Sequence, residues 1–119
     1  MPQTQNPKQY NLGERTLRFA KRVRVYVKNL PRSLAGIEDG KQFIKSSGSV
    51  GANYLEAEEA LSRKDFVMRI KISRKEAKES KYWLELTEPK DDQIKERTAL
   101  IQEATELTKI FSSIVEKSK

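Results

Sequence analysis

Histidine and cysteine are both missing from these 119 residues. Without cysteine there is no disulfide, no thiolate nucleophile and no cysteine-based zinc site. Without histidine the commonest general base and the commonest transition-metal ligand are gone. A Ser-His-Asp triad and a histidine zinc site are therefore impossible. Aromatic residues make up only 8%, with one tryptophan, and there are only four prolines and five glycines. With so few breakers, the chain has few places to turn between long segments. No apolar run approaches the ~20 residues that span a bilayer. Residues 1–11 are polar, contain Pro2 and Pro7, and lack the apolar stretch of a signal peptide. They are read as a flexible tail before one domain at 12–119. The expected address is the cytoplasm. No catalytic residue, metal, cofactor or membrane partner is assigned, and the chain is not expected to be an enzyme.

What is abundant is charge. Charged residues make up 34%, with 24 Lys and Arg against 17 Asp and Glu, for a net charge of +7. One domain of this length can bury a core without covalent staples. Leu12, Phe19, Ala20, Val23, Tyr26, Val27 and Leu30 recur at helical spacing, predicting a first helix over 12–30 that Pro31 stops. A second helix is expected over 38–61, where Phe43, Val50, Tyr54, Ala57 and Leu61 share a side. Between residues 46 and 55 it carries no charge, and Gly48 and Gly51 lie inside it. A helix with no polar face is buried on more than one side. This uncharged face is expected to be fully buried only in a homo-oligomer. Ser62 is placed to cap a third helix, whose Phe66, Ile70, Ser73, Ala77, Ser80 and Leu84 alternate at steps of four and three up to Glu88-Pro89. Asp91 or Asp92 is expected to cap a fourth, with Ile94, Ile101, Ala104, Leu107, Phe111, Ile114 and Val115 as its apolar side. No strand pattern competes. Short connections make the fold an all-α, antiparallel, up-down-up-down four-helix bundle.

Four groups of residues bear on function. In the first helix Arg15, Arg18 and Arg22 fall on one line and Lys21, Arg24 and Lys28 on another, with little acidic relief after Glu14. Such a stripe suits phosphate contacts, RNA or DNA, against the plainer reading of a solvated face. Lys64, Lys71, Lys75, Lys78 and Lys81 in the third helix are weaker candidates, because Glu76, Glu79 and Glu85 can pair with them locally. Ser46, Ser49, Asn53 and Glu56 share a face of the second helix and are read as a structural polar network, with Glu56 paired to a cation such as Arg74 and Asn53 bonded to a neighbouring helix, rather than as a catalytic carboxylate–amide pair. Gly48-Ser49-Val50-Gly51 follows no strand and lacks Gly-Lys-Ser/Thr, so it signals close helix packing and not a phosphate cradle. The aromatic pair in Tyr82-Trp83-Leu84 could stack on bases, but Trp83 lies at the seam and is read as core, while Tyr82 points elsewhere and is free for an interface.

Two blocks resemble a known family. One is Ser46-Ser47-Gly48-Ser49-Val50-Gly51-Ala52-Asn53-Tyr54-Leu55-Glu56-Ala57. The other is residues 62–86, with Asp65-Phe66, Ile72, Lys75-Glu76-Ala77, Glu79-Ser80 and Tyr82-Trp83-Leu84. Over residues 14–116 the chain resembles the bacterial four helix bundle proteins. Their members include proteins encoded in intervening sequences of 23S rRNA genes, also labelled ribosomal protein S23. The resemblance implies a ring-like homopentamer of antiparallel bundles. It also implies kinship with the accessory variability proteins of diversity-generating retroelements, basic pentamers that bind nucleic acid and a reverse transcriptase. For most of the family no activity is established. Where that family often has arginine before the first block, this chain has Lys45, which cannot reproduce a bidentate contact. Together these readings give a non-catalytic, homo-oligomeric bundle with electrostatic affinity for RNA or an RNA–DNA hybrid. The alternative is a pure protein–protein interaction scaffold with no nucleic-acid role.

Overall fold

A computed structural model describes residues 11–119; the expected tail, apart from Asn11, lies outside the described residues. Four helices follow in order: α1 (Leu12–Lys28), α2 (Leu34–Glu58), α3 (Arg63–Leu86) and α4 (Ile94–Lys117), the last entered through one 3₁₀ turn at Asp91–Gln93. There is no strand among the described residues.

Side-chain pairs fix the directions. Thr16 lies against Gly51 and Val27 against Gly40, so α1 and α2 run in opposite senses. Ser73 donates to Val50 O and Arg69 to Asn53 Oδ1, which sets α2 against α3. Arg63 reaches Ser118 O, while Arg97 reaches Glu85 O, setting α3 against α4. Arg15 pairs with Glu103 and Arg22 with Glu96, closing α4 back on α1. The result is an antiparallel four-helix bundle in which each helix neighbours the next and α1 neighbours α4.

The apolar stripes meet in one core. Phe19, Val23, Tyr26, Phe43, Val50, Ile70, Leu84, Leu100, Leu107 and Phe111 are all buried. Ile94, expected on the apolar side of α4, is half exposed, and Leu100 occupies the buried position instead. Ser62 caps α3, accepting from Asp65 N at 3.0 Å. Helix α2 begins four residues earlier than its hydrophobic pattern suggests, because Ser33 accepts from Gly36 N at 3.0 Å and starts it there. The first turn contributes Leu34 and Ile37, both exposed, so no buried stripe marks it. Neither Asp91 nor Asp92 caps α4. Gln93 takes that position: its Oε1 accepts from Lys90 N and its Nε2 donates to Tyr26 O. Tyr26 OH donates to Thr87 Oγ1 (2.7 Å), whose own proton goes to Leu84 O. Burial raises the Tyr26 pKa, partly offset by Thr87 and Arg97. This buried polar plug ties the α3–α4 connection to the end of α1.

Small residues in α2 are used inside the chain. A Cβ at position 51 would lie 2.8 Å from Thr16 Oγ1, and one at position 40 would lie 2.8 Å from Val27 Cγ1. On the other side, the Ser80 hydroxyl is shared between Glu76 O and Ser46 Oγ, and Ser73 donates to Val50 O. Ser46, Ser47 and Val50 are already buried in a single copy. The lack of charge over 46–55 thus reflects contact with α1 and α3 together. Ala52 and Leu55 are what this stretch leaves exposed.

Candidate nucleic-acid interface

The six basic residues of α1 separate into two groups. Arg15 and Arg22 are seven residues apart, two helical turns, and both face α4. Arg15 donates from Nε and Nη2 to the two oxygens of Glu103 (2.7 and 2.8 Å) and from Nη2 to Glu106 (2.7 Å). Its side chain keeps only 9% of its exposure. The hydrogen bond to Glu103, working against desolvation, raises the Arg15 pKa. Arg22 makes a more open fork to Glu96, both bonds at 3.1 Å. These two residues, expected on phosphate, are instead structural partners of α4. Helix α4 supplies the acidic relief that α1 lacks.

Arg18, Lys21, Arg24 and Lys28 are exposed and have no carboxylate partner among the described residues. Arg18, Lys21 and Lys28 follow steps of three and seven around exposed Val25, so they share the solvent line of α1. Arg24 leans the other way: Nη1 approaches Ala20 O at 3.4 Å, and Nη2 lies over Gly48. Between α1 and α4 runs an open groove of about 720 Å³, lined on the α1 side by Arg15, Arg18, Lys21 and Arg22 and on the α4 side by Gln102, Glu103 and Glu106. Its α4 wall carries Glu103 and Glu106, both paired with Arg15, so the cations without a carboxylate partner among the described residues are those on the outer side of α1.

The expected polar network forms at Asn53 but not at Glu56. Asn53 Nδ2 donates to Ser49 O, and its Oδ1 accepts from Arg69 of α3, the bond to a neighbouring helix expected of Asn53; the expected Glu56–Arg74 pair does not form. Glu56 is exposed and its side chain has no hydrogen-bond partner among the described residues, while its carbonyl accepts from Glu59 N. The antiparallel register explains this. Asn53 is level with Arg69, so Glu56 is level with the Phe66–Val67 turn, two turns or ~10 Å from Arg74. The signal that could have found Arg69 is that register, which a single helix pattern does not carry. Lys45, the departure from the family's arginine, acts on Glu76 through its charge, while burial is the larger influence and raises the Glu76 pKa.

Among the described residues no group of three or more Asp or Glu is placed to hold a metal ion, and no helix is long and apolar enough to cross a membrane.

The profile of 23S rRNA-intervening sequence proteins matches residues 8–113. Among solved structures, the chain is similar to a protein of unknown function from the S23 ribosomal protein family of Bacteroides thetaiotaomicron VPI-5482. The two share 33% identity and a TM-score of 0.74, over 87% of this chain and 97% of that one. No curated protein matches.

Proposed function

This chain belongs to the 23S rRNA-intervening sequence protein family, and from that premise we propose that it is a non-catalytic, homo-oligomeric bundle that binds RNA or an RNA–DNA hybrid through charge. The observation that carries the reading is the division of α1. Two arginines are spent on α4, yet Arg18, Lys21, Arg24 and Lys28 remain exposed with no carboxylate partner among the described residues. Arg18, Lys21 and Lys28, on one line of a rigid helix, suit a regular array of phosphates, with Arg24 to one side of it. Self-association is supported by Leu55, Leu61 and Met68, exposed at 58%, 100% and 44% around the α2–α3 turn. Five copies is the number that the resemblance implies. The absence of cysteine fits a cytoplasmic address.

The test is fluorescence anisotropy with a labelled RNA–DNA hybrid, titrated between 50 and 200 mM salt. Replacing Arg18, Lys21, Arg24 and Lys28 together with glutamine should flatten the slope of log affinity on log salt by about 3–4. Binding that is absent, or insensitive to salt, overturns the reading and leaves the protein-interaction scaffold. Light scattering without nucleic acid tests self-association, and a monomer at micromolar concentration refutes that part.

A further inference from the structure

Helix α3 carries a basic surface that the reading above does not use. Lys71, Lys75, Lys78 and Tyr82 succeed one another at steps of four, three and four, so they lie along one line. That line is opposite the buried line of Ser73, Ala77, Ser80 and Leu84. With Arg74 and Glu79 they border an open concavity of about 390 Å³. Four cations there meet one lining carboxylate, Glu79. Lys75 also has Glu76 at 3.8 Å, although Glu76 is largely withdrawn beside α2. At the C-terminal end of this line of charge stands an aromatic ring. Tyr82 is 57% exposed and rests edge-to-face on Trp83, at a centroid distance of 5.1 Å and an interplanar angle of 75°. Trp83 is packed against the core. A ring so buttressed is held in place while remaining accessible.

A solvated helix face needs cations but has no use for an exposed, supported tyrosine at the end of their line. We propose that this concavity binds single-stranded nucleic acid, with Lys71, Arg74, Lys75 and Lys78 on successive phosphates and Tyr82 stacked on an unpaired base. The proposal rests on the reading that the protein binds nucleic acid. A duplex offers the same phosphates but hides its base faces, so the tyrosine is what discriminates. Three of the four cations are lysines, point charges with no fork to read base edges, so recognition is tolerant of sequence. The eleven helical steps from Lys71 to Tyr82 span ~16 Å, room for about five stacked nucleotides at ~3.4 Å each.

The experiment compares a labelled oligouridylate, which cannot pair with itself, with an RNA–DNA hybrid of equal length. Circular dichroism confirms that each variant is folded. Tyr82→Ala should weaken oligouridylate binding about tenfold and leave the hybrid within about twofold, while Tyr82→Phe keeps the wild-type affinity for both. Replacing Lys71, Lys75 and Lys78 with glutamine should flatten the salt slope for oligouridylate by about 2. If Tyr82→Ala leaves oligouridylate binding unchanged while the α1 variant still loses the hybrid, the inference is overturned and the reading of α1 stands. If neither polymer binds, both fall. Vesicles containing phosphatidylserine serve as the competing anionic surface: lysine-dependent vesicle binding without oligouridylate binding also overturns the proposal.

Discussion

Gly51→Ala adds one methyl group, and its effect can be worked from the structure. In the middle of a helix the change should stabilise by about 1 kcal/mol, because alanine is the better helix former. Here the new Cβ would lie 2.8 Å from Thr16 Oγ1 and 3.2 Å from Thr16 Cβ. Thr16 cannot yield easily. It is β-branched, it is 1% exposed, and its hydroxyl donates to Gly13 O at 3.0 Å. Overpacking of this kind costs about 1–3 kcal/mol. The expected net result is a loss of about 1 kcal/mol, or ~4 °C in melting temperature for a domain of this size. Gly48→Ala is the control. Its Cβ would meet only Arg24 Nη2, at 3.9 Å, so the propensity gain of about 0.5–1 kcal/mol should be realised. Urea midpoints at one fixed protein concentration, with unchanged m-values, would measure both. Thr16→Ala combined with Gly51→Ala should couple favourably by at least ~0.5 kcal/mol, since truncation removes the obstructing oxygen. If Gly51→Ala stabilises as much as Gly48→Ala, close α1–α2 approach is not why the stretch lacks bulk.

Arg15→Ala should destabilise by about 1.5–3 kcal/mol, because it takes from Glu103 both of its hydrogen bonds at the α1–α4 contact, while Glu106 keeps its bond from Gln102. Arg22→Ala should cost less than about 1 kcal/mol, its pair with Glu96 being more open; chemical denaturation of the two variants decides between these outcomes. Phe19→Ala should cost about 3–5 kcal/mol and unfold the chain in a thermal melt, as a core position demands; a variant that melts like the wild type would refute that placement. Glu76 has a raised folded pKa, so the native state holds its proton more tightly than the unfolded chain does. Its contribution to stability therefore falls as pH rises from the ordinary value of 4.5 through the raised one. Glu76→Gln should remove that fall and raise stability at pH 7 relative to pH 4, as read from urea midpoints at both values.

Much of the bundle was legible because its signals are local. The stripes of α1 and α3 are written in one helix each, and Ser62 and Pro31 are punctuation. The start of α2 was not legible, since Leu34 and Ile37 point into solvent and imitate a loop. Ser33, three residues before Gly36, was the available clue. The site was harder for a different reason. Whether Arg15 meets phosphate or Glu103 depends on which face of α4 turns toward α1, 88 residues away along the chain. The same holds for Arg69 and Arg74, separated by five positions on one helix and told apart only by the α2–α3 register. Charge count is a property of the sequence, whereas unpaired charge is a property of the packing.

That distinction bears on how a polymer would meet the two basic faces. α1 and α3 are diagonal in the bundle, each touching α2 and α4 between them. Their outward lines therefore face away from each other, and one short strand cannot lie on both within a single copy. Contacts made at Arg18, Lys21 and Lys28 should thus add independently to those made at Lys71, Lys75 and Lys78 when the ligand is short. Coupling between them requires either a strand long enough to wrap the bundle or a second copy that brings its α3 beside the first copy's α1. In that second case affinity rises through effective concentration, without any new contact. Self-association and nucleic-acid affinity are then linked quantities, and a variant that breaks the oligomer should weaken long strands far more than short ones.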